Sequence, residues 1–150
     1  AARCPFIGGG CDRNRERDMS LGDFGRDVTT TTEGMVTGRL SSGLRLVAEA
    51  IVRRLTTAKG ELPGGREEAD YGLDVQSFLG ADFMRGELAA IKARIEAEVR
   101  QDPRIDRVVA DVVFENGGLQ IAVECATSNG PFELVMLATE TSIEVIGIKL

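Results

Sequence analysis

The 150-residue sequence predicts an α+β fold, with two main amphipathic helices followed by a C-terminal, mainly antiparallel four-stranded sheet. Two stretches before Pro103 repeat apolar residues every three or four positions, which is the period of a half-buried helix. After Pro103 the period falls to two and turn residues recur at short intervals, as in strands joined by hairpins. Helical signals precede strand signals instead of alternating with them, which disfavours a doubly wound parallel sheet.

The elements follow in order. Residues 1–27 carry many Gly, Arg and Asp without a sustained period and read as an extended N-terminal arm, leaving 28–150 as a single domain. Thr29 to Thr32 is β-branched and reads as extended chain. Leu40, Leu44, Val47, Ile51 and Leu55 then share a helical face, with Ser41 or Ser42 placed to cap the start and Gly60 just past the end. Arg45, Glu49 and Arg53 fall on the other faces. The Gly- and Pro-containing segment from Gly60 to Gly65 is a loop leading to a short turn at Tyr71-Gly72-Leu73-Asp74.

A second helix is expected from about Asp82 to Gln101, aligning Met84, Leu88, Ile91, Ile95 and Val99. Glu87 with Lys92 and Arg94 with Glu98 read as surface charge, and Pro103 disfavours helical geometry at Asp102. Val108, Ala110, Val112 and Phe114 then alternate along one strand face, Asn116-Gly117-Gly118 supplies a tight turn, and Leu119, Ile121, Val123 and Cys125 alternate along the next strand. Ser128 to Pro131 marks another turn before strands at Phe132–Ala138 and Ile143–Lys149. These last strands are apolar on both faces, with Phe132, Leu134 and Met136 on one and Val135 and Leu137 on the other. Ile146, Ile148 and Leu150 are expected on one face of the final strand, and the second apolar face implies either a partner or a two-sided core.

Composition narrows the function classes. The net charge is -6, and the only basic cluster, Arg13, Arg15 and Arg17, is interrupted by Asp12 and Glu16, so no nucleic-acid partner is expected. Histidine is absent, removing the usual general base near neutral pH and the commonest metal ligand, and no metal or other cofactor is expected. No stretch approaches a membrane span, and no charged-then-apolar leader is present, so no membrane insertion is expected. The Ala1-Ala2 start is what trimming of an initiator Met would leave, and manufacture in the cytoplasm is expected. Cys4 and Cys11 flank a glycine run at a spacing too sparse for a zinc site, which leaves free thiols or a disulfide open for them. Cys125 continues an apolar strand face and reads as core.

An ordered set of residues between Met35 and Leu150 resembles the baseplate wedge, sheath-initiator family of contractile phage tails, whose fold is shared with a type VI secretion baseplate subunit. Thr56-Thr57 and Gly60-Glu61 close the first helix, Tyr71-Gly72 follows the loop, and Asp102-Pro103-Arg104 follows the second helix. The family's tripeptide usually begins with glutamate, and aspartate here is one methylene shorter; Asp70 stands where a proline often precedes the Tyr-Gly pair. The resemblance implies a non-enzymatic scaffold in the virion tail baseplate, assembled in the host cytoplasm. It implies contacts with other wedge subunits, in which Asp102, Pro103 and Arg104 bind a partner, and with tube or hub proteins as further neighbours. It also implies that the C-terminal strand, through Ile143, Val145, Ile146 and Ile148, templates the first layer of tail sheath protein by strand addition.

Two other classes compete with this reading. An adaptor of the same fold would bind one regulatory partner. A cell-wall glycoside hydrolase would need two carboxylates facing a sugar, for which only Glu61 with Asp70 or Asp74 is suitably placed, in a chain without Trp and with one Tyr. If Cys4 and Cys11 form a disulfide, to each other or to a neighbour, non-reducing electrophoresis of intact particles gives shifted or linked species, and an unshifted band excludes it.

Overall fold

The computed structural model describes residues 24–30, 36–65, 68–79 and 85–150. Residues 1–23 lie outside the described residues, and with them most of the expected arm and both Cys4 and Cys11. The fold is α+β, with two helices preceding a four-stranded antiparallel sheet, as the periodicities indicate, and with an additional two-stranded sheet in front of the helices.

That additional sheet pairs β1 (Arg26–Thr30) with β2 (Val36–Ser42). It explains the misplacement of Leu40 in the sequence reading. Leu40 lies four residues before Leu44, as a helical face requires, yet it pairs with Val28 in the hairpin and is 66% exposed. Arg26 opposite Ser42 carries the pairing up to the helix boundary, so hairpin hydrogen bonds claim the residues that the helical period also fits. Ser42 occupies the cap position without a side-chain capping bond.

Helix α1 (Gly43–Thr56) buries Val47, Ile51 and Leu55 completely. Glu49 is buried as well, contrary to its expected place on an outer face, and Arg45 bonds its Oε1 at 3.1 Å. Arg53 reaches Asp27 of β1 at 3.6 Å and so ties the hairpin to the helix. Helix α2 (Leu88–Val99) follows a 3₁₀ turn at Arg85–Glu87 and is shorter than expected. Asp82 and Met84 lie outside the described residues. Ile91, Ile95 and Val99 form its buried stripe. After Val99 the chain tightens through Gln101 N–H to Glu98 O and Asp102 N–H to Val99 O, and Pro103 prevents any return to helix.

The main sheet has the order β3 (Ile105–Glu115), β4 (Gly118–Thr127), β5 (Gly130–Ala138), β6 (Ile143–Lys149), every neighbour antiparallel. Asn116 and Gly117, both at positive φ, form the two-residue turn between β3 and β4, whose backbone matches the twist of the flanking strands. One face carries Val108, Ala110, Val112, Ile121, Val123, Cys125, Leu134 and Met136 into the core against the helices. Phe114 fits the same alternation but is 41% exposed, because it sits at the sheet's far end, opposite Leu119 beside the turn. The opposite face is open among the described residues: Val109, Val113 and Ile146 are exposed and Val135 and Leu137 half-buried. The core is therefore one-sided.

The expected grouping of Ile146, Ile148 and Leu150 is corrected by a bulge. Val135 stands opposite Gly147 and Met136 opposite Val145, so Ile146 is an extra residue in β6. Ile143, Val145 and Ile148 turn to the core, whereas Ile146 is 59% and Leu150 72% exposed.

One close approach fixes the loop between the helices. Leu73 N–H donates to Arg54 O and Asp74 N–H to Thr57 O, which draws Gly72 against the end of α1. Gly72 has φ +99, and a Cβ there would collide with the Thr57 carbonyl oxygen. Gly72→Ala is expected to lower stability by about 3 kcal/mol in chemical denaturation, combining backbone strain with a steric clash.

Candidate docking site

Of the residues that carry the family resemblance, Thr57, Tyr71-Gly72 and Asp102-Pro103-Arg104 come together where α1, the interhelical loop and α2 end, whereas Gly60-Glu61 lies exposed in the loop. Glu98 is at the centre. Its Oε1 accepts from Arg54 Nη1 at 2.9 Å and from Gly72 N–H at 3.0 Å, and its Oε2 accepts from Gln101 Nε2 at 3.2 Å. The Glu98 side chain is 3% exposed, so the charge is desolvated and depends on these donors. The Arg54 guanidinium lies 4.3 Å from the centroid of the Tyr71 ring, a cation–π contact, and also reaches Gln101 Oε1 at 3.2 Å.

Immediately after Gln101, the Asp102-Pro103-Arg104 turn forms a closed unit. Arg104 Nε and Nη2 bond the two carboxylate oxygens of Asp102 at 2.9 and 2.6 Å, and Arg104 N–H donates to Asp102 Oδ1 at 3.0 Å. Burial alone would raise the Asp102 carboxyl, but the hydrogen bonds and charge of Arg104, with the charge of Arg54, outweigh it and hold the pKa below the ordinary 3.8. The Arg104 guanidinium is held above its ordinary value, chiefly by its hydrogen bond to Asp102. The fork expected to engage a partner is therefore already set on Asp102, with 28% of the Arg104 side chain exposed. Pro103 is exposed at the tip.

The second candidate surface is the edge of the main sheet. Thr139 N–H donates to Ser142 O at 2.8 Å across the β5–β6 turn, so odd-numbered residues of β5 direct their backbone groups toward β6. They meet Glu144, Gly147 and Lys149, which leaves the N–H and C=O groups of Ile143, Val145 and Ile148 pointing out of the sheet. Among the described residues β6 pairs with β5 alone. The opposite edge is treated differently: on β3, Ala110 N–H donates to Glu96 Oε1 at 3.0 Å, and α2 packs along that strand.

Glu61 and Asp70 are exposed, and Asp74, at φ 49, is half-buried in the turn into a 3₁₀ segment at Val75–Phe78. A groove of about 480 Å³ lies elsewhere, on the open sheet face, lined among others by Arg107, Val109, Glu124, Glu133, Lys149 and Leu150. Among the described residues no cluster of His, Cys, Asp and Glu would hold a metal ion, and no helix is long and apolar enough to cross a membrane.

The sequence reading missed Arg54, Glu98 and Gln101. It paired Glu98 with Arg94, whereas Glu98 turns inward to Arg54 and Arg94 lies over Phe78. A signal was present, because Glu98 continues the buried positions Ile91 and Ile95 at four- and three-residue spacing, which places a carboxylate on the apolar face. Arg54, forty-four positions away, carries no comparable mark.

No protein-family model matches the chain, and no curated protein matches it.

Asp102→Asn is expected to lower stability by about 2 kcal/mol at neutral pH, since it removes the charge that Arg104 brackets. Because the folded-state pKa of Asp102 lies below 3.8, its contribution is complete above that value and is lost as pH falls through the folded pKa. Urea unfolding of parent and variant should therefore differ at pH 7 and converge under strongly acidic conditions.

Proposed function

We propose that the chain is a non-enzymatic structural subunit of a contractile tail, a baseplate wedge protein of the sheath-initiator kind. The carrying observation is the edge of β6, which presents outward backbone groups at Ile143, Val145 and Ile148 beside the exposed Ile146, while the other sheet edge is engaged from within by Glu96. An open edge of this kind invites aggregation unless a specific strand covers it, and a strand from the sheath protein is the partner that the resemblance suggests. Further support comes from the convergence of Tyr71-Gly72 and Asp102-Pro103-Arg104, distant in sequence, on neighbouring contacts of one polar node. In this reading the node is the wedge-facing side. Asp102 fixes the orientation of Arg104, the exposed part of the guanidinium meets acceptors on a neighbouring subunit, and Pro103 keeps the turn rigid.

The test uses proline at positions whose N–H points outward. In Val145→Pro/Ile148→Pro the internal ladder to β5 keeps its bonds through Glu144, Gly147 and Lys149, while two donors to an added strand are removed. Folding is checked first by circular dichroism and thermal unfolding. The expected outcome is baseplates that assemble and contain the variant but carry no sheath. Normally sheathed tails would refute the sheath role, and loss of the baseplate itself would assign β6 to the wedge interface.

A further inference from the structure

We infer that the free protein closes its own open edge by pairing β6 with β6 of a second copy, antiparallel and about a two-fold axis between Ile146 and Gly147. This concerns the purified chain and does not depend on the baseplate reading.

The register follows from the bulge. An isologous pairing places residue i opposite residue j and j opposite i, and both members of a hydrogen-bonded pair must point their backbone groups at each other. In a regular strand, outward residues are two apart, and a two-fold axis midway between adjacent residues would set outward groups against inward ones. The extra residue at Ile146 changes this. Val145 and Ile148, three apart in sequence, both point outward, and they stand opposite Met136 and Leu134, which are two apart on β5. Along the edge they are thus separated by the ordinary two-residue repeat of about 7 Å. An axis between Ile146 and Gly147 sets Val145 against Ile148 of the second copy, and Ile148 against Val145, as two hydrogen-bonding pairs in normal spacing.

The same register fits the side chains. Glu144 falls opposite Lys149 of the second copy and Lys149 opposite its Glu144, at non-hydrogen-bonded positions where cross-strand side chains approach most closely. Both residues are exposed, and Lys149 leans toward the same sheet face to bond Glu133 at 2.7 Å. The exposed Ile146 falls opposite Gly147 of the second copy, and the reverse. Within one chain nothing demands glycine at position 147, since a Cβ there meets no atom within 4 Å and φ lies outside the left-handed region. Opposite an isoleucine across a two-fold axis, the missing side chain is what leaves room. The charges, the bare position and the phase of the outward groups agree on one register for pairing with a second copy.

Sedimentation of the full chain over a concentration series tests the pairing. The parent is expected to show a monomer–dimer equilibrium. Glu144→Lys sets lysine against lysine twice, and Lys149→Glu sets glutamate against glutamate twice, so each should weaken dimerisation by roughly tenfold or more. An equimolar mixture of the two variants restores both attractions and should form heterodimers at parental strength. Gly147→Val should abolish the dimer with thermal unfolding unchanged. A parent that stays monomeric at its solubility limit overturns the inference, as does a dimer that the single charge reversals leave intact or a mixture that fails to rescue. Thermal unfolding of each charge variant alongside the parent ensures that any loss reflects association and not folding.

Discussion

The buried carboxylate of Glu98 constrains the arrangement on which the other contacts rest. A desolvated charge is tolerated only when donors surround it, and its three come from different parts of the chain: Arg54 near the end of α1, Gly72 in the interhelical loop and Gln101 just past α2. Apolar packing between Ile51, Leu55, Ile95 and Val99 is nondirectional and would permit the helices to slide by a fraction of a turn. The carboxylate does not permit this, because any slide would strand it without a donor. Tyr71 stacked against Arg54 and the backbone bonds of Leu73 and Asp74 hold the loop in the same position. Strand β3 begins at Ile105, a few residues after Gln101, so the placement of the helices also sets where the sheet starts.

From that fixed start the two edges of the sheet acquire different properties. Near β3, α2 is close enough for Glu96 to take the outward Ala110 N–H, so a side chain stands where a foreign strand would bond. β6 is the last strand in the order and has a neighbour on one side only among the described residues. The asymmetry is a direct result of connectivity: the helix that immediately precedes the sheet lies along the first strand, and the remaining hairpins carry each new strand farther from it. A single polar contact thus distinguishes the two edges.

The extent to which the sequence revealed this structure depended on the range of the interactions. Turn chemistry and a period of two are local, and the bounds of β6 and the Asn116-Gly117 turn agree with the expected ones. Leu40 was misread because two local patterns fit it equally and pairing with Val28, twelve residues back, decided between them. The bulge at Ile146 was invisible because an added residue changes the phase of the faces without changing composition, and only its partners Val135 and Met136 reveal it. For the candidate site, Asp102-Pro103-Arg104 was recognisable as a unit, but its self-contained ion pair was not, and the Arg54–Glu98 contact joins residues whose spacing carries no period at all.

The sheet also encloses a chemical reporter. Cys125 is 3% exposed on the core face of β4, and burial together with the nearby Asp102 charge pushes its thiol up to about 12. The nucleophile in alkylation and disulfide exchange is the thiolate, which is scarce at neutral pH when the thiol is held this high. While the sheet is closed, burial and the raised pKa both disfavour reaction of this sulfur with iodoacetamide or glutathione. It gains an ordinary thiol's reactivity only when β4 separates from the helices. The labelling rate of Cys125 under native conditions is therefore a clock for the opening of the central sheet, read from a residue that no substitution needs to introduce.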